Sequence, residues 1–184
     1  MICQGPEVYS KPQLGVGDVD GNGRPDVVVQ PESHKTVHFF KNRGAEDWQL
    51  VKIPKPTDTQ WRSGPTRIFD LNGDGKQDIV GFLVHDKGYL PIDKAAVYWM
   101  EYEGKEPHAD NWTTHVIKWG DGYDGKDNHV GEKWDQVFLY DVDHDGATDI
   151  IANCEEYGTD TDYYYTNYWP PVALAVVWFE NPMK

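Results

Sequence analysis

Several absences bound what this chain can be. Its 184 residues contain no apolar run near the 18 or so needed to cross a bilayer as a helix, and Met1 to Ser10 lack the hydrophobic core of a secretion signal. Two cysteines are too few for a disulfide scaffold. Cys3 and Cys154 read equally as one bridge in an oxidising compartment or as two thiols, and neither has a neighbouring base at a spacing that would activate it. Basic residues are scarce, 17 against 31 acidic ones, for a net charge of −14. So acidic a chain, without a basic stripe, is repelled by phosphate backbones and anionic lipid, so neither nucleic acid nor a membrane is expected as a partner. His34, His38, His108 and His115 have no spacing that marks a zinc site. Aromatics, by contrast, are abundant. The 8 Trp, 11 Tyr and 6 Phe separate this chain from acidic disordered sequences, and its length suits one compact domain.

One motif occurs three times. Asp18-Val19-Asp20-Gly21-Asn22-Gly23-Arg24-Pro25-Asp26 recurs as Asp70-Leu71-Asn72-Gly73-Asp74-Gly75-Lys76-Gln77-Asp78 and as Asp141-Val142-Asp143-His144-Asp145-Gly146-Ala147-Thr148-Asp149. In each copy an oxygen-bearing side chain stands at positions 1, 3, 5 and 9, and glycine at position 6. Alternate side chains of a curled loop converge on one point, the backbone carbonyl at position 7 (Arg24, Lys76 or Ala147) adds a ligand, and a calcium ion accepts about six to eight oxygens. Crowded carboxylates with no cation between them would repel one another, which argues against three plain Asp/Asn/Gly turns. His144 replaces the glycine at position 4 of the other copies, and histidine is among the residues that tolerate unusual backbone angles.

The loop's exit separates it from an EF-hand. A bidentate Glu is required at position 12, where this chain has Val29, Gly81 and Ala152. Each loop instead enters a short β-branched run, Asp26 to Val29, Asp78 to Val80 and Asp149 to Ile151, that reads as a buried strand.

The Asp-x-Asp/Asn-x-Asn/Asp-Gly-x-x-Asp-apolar pattern resembles the calcium loop of FG-GAP/VCBS-type repeats, which build β-propellers. The segments Val37 to Asn42, Val97 to Glu101 and Val176 to Pro182 resemble the family's third strand, and Trp48 to Ile53 and Trp112 to Ile117 its fourth. The integrin-like "FG" and "GAP" signatures are absent, so the comparison is with the looser bacterial form of the repeat and integrin-type adhesion does not carry over. Read from the residues alone, each unit is four short strands, so the expected fold is all-β, with propeller blades of four-stranded antiparallel sheets over about 14–53, 66–118 and 135–184 of one 1–184 segment. Propellers usually close with about four to eight blades. Three are too few, so the chain is expected either to be an excerpt of a longer propeller of about seven blades or to close by oligomerisation, as in a homodimer of six. Residues Ile2 to Tyr9 are expected to give a fourth strand to another blade.

Meander parity places the calcium loops and the third-to-fourth loops on one face, and the longer second-to-third loops and blade connectors on the other. Those long segments run from Gln30 to Thr36, His85 to Lys94, Cys154 to Val172, Pro54 to Thr66 and Lys118 to Asp135, and they carry the candidate ligand-binding residues Trp61, Trp119, Tyr123, His129, Trp134, Tyr164, Tyr168 and Trp169. Aromatic rings beside Asp, Asn and Lys suit a sugar ring or a protein partner, or else an interface of the assembly itself. His85, His129, Lys133, Arg62, Arg67, Asp135, Glu155 and Glu156 could supply an acid and a base, as in propeller-fold sugar lyases and dehydratases that share this repeat. A non-catalytic module is the preferred reading. The expectation is a carbohydrate- or protein-binding module, extracellular or periplasmic, with about three structural Ca2+ ions. Its loops hold 8 of the 14 net negative charges, and three Ca2+ would offset six of them.

Overall fold

In a computed structural model, the described residues are 14–31, 36–54, 62–84, 94–121, 131–157 and 173–181. They form eleven strands and, among them, no helix: β1 (Gly15–Gly17), β2 (Asp26–Val29), β3 (Thr36–Gly44), β4 (Asp47–Pro54), β5 (Arg62–Phe69), β6 (Asp78–Val84), β7 (Lys94–Tyr102), β8 (Trp112–Asp121), β9 (Gly131–Tyr140), β10 (Asp149–Tyr157) and β11 (Ala173–Phe179). Three antiparallel meanders result, ordered β1-β2-β3-β4, β5-β6-β7-β8 and β9-β10-β11. This is the expected all-β architecture of consecutive propeller blades, with three strands described in the third.

The strand patterns explain how the sheets stack. Ile79, Val80 and Phe82 of β6 are all fully buried although alternate residues point to opposite faces, so the middle sheet must be covered on both sides. One core joins Val28, Val37, Phe39 and Ile53 of the first sheet to Ile79, Tyr98 and Met100 of the second. Another joins Val80, Phe82 and Val97 of the second to Val137, Ile150 and Ala152 of the third. The innermost strands β1, β5 and β9 lie side by side in sequence. Close approach there depends on Gly17, where an added Cβ would stand 2.6 Å from Ile68 of the next sheet.

Several strands run further than the apolar segments suggest. β10 continues to Tyr157 because β9 pairs with it as far as Gly131↔Tyr157, with a bulge at Asn153/Cys154 absorbing the irregular pattern. β8 likewise extends to Asp121. Trp119 and Trp134 therefore lie on strands, not on the connectors assigned to them from sequence. Cys154 is buried in the second core, and Cys3 lies outside the described residues.

Candidate metal centre

Each loop joins the first and second strands of its sheet, and one hydrogen-bond pattern holds all three. The position-5 amide donates to the position-1 carboxylate: Asn22 to Asp18 at 2.9 Å, Asp74 to Asp70 at 3.1 Å and Asp145 to Asp141 at 3.1 Å. It also donates to the position-3 side chain, Asp20, Asn72 or Asp143. The position-6 glycine amide donates to the other position-1 oxygen at 2.7, 2.9 and 3.1 Å. Position 7 donates to the position-5 side-chain oxygen. Backbone amides thus hold side-chain oxygens at positions 1, 3 and 5 of every loop.

These turns need left-handed backbone. Gly21, Gly73 and His144 at position 4 have φ of 69°, 73° and 63°, and Gly23, Gly75 and Gly146 at position 6 have 82°, 86° and 95°. His144 therefore adopts its neighbours' glycine conformation, as expected of it.

The position-9 aspartates are the anchors. Asp26, Asp78 and Asp149 are all but fully buried. One oxygen of each accepts the position-2 amide, from Val19 at 3.0 Å, Leu71 at 2.8 Å and Val142 at 2.9 Å. In the outer sheets the other oxygen accepts the amide of Asn42 or Asn181, 2.7 and 2.8 Å away at the end of the third strand. Burial raises the Asp26 carboxyl above its ordinary range and pushes that of Asp78 up to about 7, with the neighbouring loop carboxylates adding to the effect. Asp20 goes the other way: burial opposes its charge, but hydrogen bonds from Lys41 and Asn22 prevail and lower its pKa. Lys41 Nζ lies 2.9 Å from Asp20.

The arrangement suits a hard cation. One carboxylate oxygen from each of Asp18, Asp20 and Asp26 lies within 4.8 Å of the others, and so for Asp141, Asp143 and Asp149. The second loop substitutes the Asn72 amide at position 3, and Glu101 accepts from its Nδ2 at 2.9 Å. A buried carboxylate beside two or three others is costly in isolation, and a divalent ion removes that cost. Asp18, Asp20, Asn22, the Arg24 carbonyl and Asp26 would hold one ion. Asp70, Asn72, Asp74, the Lys76 carbonyl and Asp78 would hold a second, and Asp141, Asp143, Asp145, the Ala147 carbonyl and Asp149 a third.

The comparison with protein families agrees with this geometry. Residues 18–81 match the model of the FG-GAP-like repeat. Over that span the chain is similar to an FG-GAP-like repeat. The matched repeat begins at the first ligand position of the first loop and ends in β6, three residues beyond the ninth position of the second. The third loop lies outside that span yet repeats the same hydrogen bonds. No curated protein and no solved structure matches the chain.

The supporting residues went unseen in the sequence reading. Strand register makes Lys41, Glu101 and Glu180 equivalent, and likewise Asn42, Tyr102 and Asn181. The first set faces position 3 in the first two loops. From the second set, Tyr102 Oη donates to Val19 O at 2.9 Å and Asn181 Nδ2 to Leu71 O at 2.8 Å. Each tie thus joins one sheet to the Asp-rich loop of the sheet before it. The recurring Phe-Lys-Asn and Phe-Glu-Asn endings of the third strands were the available signal.

The candidate ligand face is less represented. Trp61, Tyr123, His129, Tyr164, Tyr168, Trp169 and His85 lie outside the described residues, and Arg62, Lys133, Asp135, Glu155 and Glu156 are described in backbone only. Trp119 is 43% exposed. Trp134 is a correction: at 1% exposure it packs between Phe82 and Phe179 with Lys118 over its ring, because β9 extends back through it and turns it into the core. His115, by contrast, stacks on Trp99 and bonds Glu101 at 2.7 Å.

Proposed function

We propose that this chain is a calcium-stabilised propeller module, extracellular or periplasmic, that binds a carbohydrate or a protein through the long-loop face opposite the calcium loops. The observation that carries the calcium reading is the threefold repetition of a buried position-9 aspartate, which in the first and third loops lies among converging carboxylates. The ion's role is structural: it neutralises charges the loop cannot leave buried and fixes the turn between two strands, so its binding energy becomes folding energy. Calcium at the concentrations outside the cell would keep such loops loaded. The ligand reading rests on the aromatic residues of the long segments and on exposed Trp119 near the end of β8.

Thermal unfolding with calcium and with chelator tests the first part. A site held at about 100 times its Kd contributes about 2.7 kcal/mol, which shifts Tm by roughly 5–10 °C in a chain of this size. Equal melting in both conditions would remove the metal reading. A glycan-binding screen with Trp119→Ala and Trp169→Ala tests the second, and unchanged binding in both variants would count against this face. Burial of Trp134 between sheets favours a second reading for some of these rings, as contacts within an architectural unit.

A further inference from the structure

The first two loops offer an ion the same ligand charge. Each places three carboxylates and one asparagine at positions 1, 3, 5 and 9, the asparagine at position 5 in the first loop (Asn22) and at position 3 in the second (Asn72). Each carries one cation at position 7, Arg24 or Lys76. The amide bonds that shape the two turns are also the same. Neither charge count nor loop geometry therefore separates the two sites, and any difference in their affinity has to come from outside the loops.

Such a difference stands beside position 3. Asp20 Oδ1 and Asn72 Oδ1 each accept the position-5 amide, at 3.1 and 3.0 Å. The other terminal atom of each side chain meets the third-strand residue at one shared register position, Lys41 of β3 or Glu101 of β7. Lys41 Nζ lies 2.9 Å from Asp20 Oδ2, and Asn72 Nδ2 donates to Glu101 Oε2 at 2.9 Å. Polarity is matched in both pairs, since the acceptor atom faces an ammonium and the donor atom a carboxylate. The Lys41 side chain is 13% exposed and that of Asp20 3%, so solvent screens this pair little. Two partial counterweights exist. Glu106, 63% exposed, meets the Lys41 ammonium at 3.3 Å, and His115 Nε2 meets the other Glu101 oxygen at 2.7 Å.

Matching the position-3 atom thus leaves opposite charges beside equal ligand sets. On the calcium reading of these loops, we propose that the third-strand residue tunes the loop it faces: Lys41 weakens the first site, Glu101 strengthens the second, and the second loop fills at lower calcium than the first. A unit charge about 7 Å from a divalent ion alters its affinity about sevenfold in water. Lys41 and Glu101 differ by two units of charge, so a gap of about tenfold survives partial cancellation by Glu106 and His115. In chelator, Lys41 offsets one of the three carboxylates of the first loop, a relief the second loop does not get from Glu101.

A chelator-buffered calcium titration of the full chain at pH 8 tests this, followed by the backbone amide NMR signals of Gly23 and Gly75. These two amides donate to the position-1 carboxylates and so report on the two loops separately. The Gly75 midpoint is expected at about tenfold lower free calcium than the Gly23 midpoint. Lys41→Gln should lower the Gly23 midpoint about sevenfold and leave that of Gly75 within about twofold. Lys41→Met, which keeps most of the packed stem, should do the same, whereas Lys41→Arg should hold the original midpoint because the charge remains. Glu101→Gln should raise the Gly75 midpoint. Coincident midpoints in the unmodified chain overturn the inference and leave the calcium reading standing, as does a Gly23 midpoint that neither Lys41→Gln nor Lys41→Met moves. Signals that ignore calcium altogether remove the calcium reading and the tuning with it.

Discussion

Asp26 and Asp20 look alike in the motif, but their surroundings separate them. Asp26 accepts two backbone amides, Val19 N and Asn42 N, inside the protein, whereas Asp20 accepts one amide and the ammonium of Lys41. Removing Asp26 leaves two buried donors unsatisfied, at about 1–3 kcal/mol each, whether or not calcium is present. Asp26→Ala should therefore cost about 3 kcal/mol in chelator, and Asp20→Ala about 1 kcal/mol, by urea titration. Equal losses would mean that position 9 is no more than a ligand. Gly73 supplies a second contrast. Nothing lies within 4 Å of a Cβ built there, so Gly73→Ala tests the φ of 73° alone and should cost about 1–2 kcal/mol. His144 already bears that cost in the third loop. The oxygen positions of all three loops were legible in the sequence because ligand spacing is local. The second duty of Asp26 was not, because its partner Asn42 is sixteen residues away and arrives only through strand register.

At the scale of strands, the segments with dense β-branched residues were legible, since they bury on the pleated surface. Their far ends were not. Asn153 to Tyr157 carries polar and acidic residues that no strand pattern favours, yet β9 and β11 flank it and satisfy its backbone. The ties between sheets were equally hidden, because Tyr102 and Asn181 share a role without sharing a residue type. Tyr102→Phe removes the donor to Val19 O while keeping the ring that packs on Trp112. We expect a loss of about 1–2 kcal/mol in urea titration and weaker calcium binding in the first loop, whose position-2 residue is Val19. Unchanged affinity with lowered stability would confine the tie to packing between sheets.

Across the whole molecule, the three loops carry 8 of the 14 net negative charges, and the hydrogen bonds above hold them in tight clusters. In chelator the native state must therefore keep like charges together that the unfolded chain would spread apart. The clusters differ in compensation. Lys41 stands against Asp20 of the first loop, while the equivalent residue beside the third loop is Glu180. Salt separates this repulsion from loss of the ion's direct bonds, because the screening length falls from about 10 Å at 0.1 M to about 3 Å at 1 M ionic strength. Raising sodium chloride over that range in chelator should raise Tm, and it should do little to the calcium-loaded protein. Asp145→Asn, which removes one charge from the third loop, should raise Tm in chelator and lower it in calcium. A salt-independent gap between the loaded and chelated proteins would locate the stabilisation in the ion's coordination bonds, and charge relief would then play no measurable part.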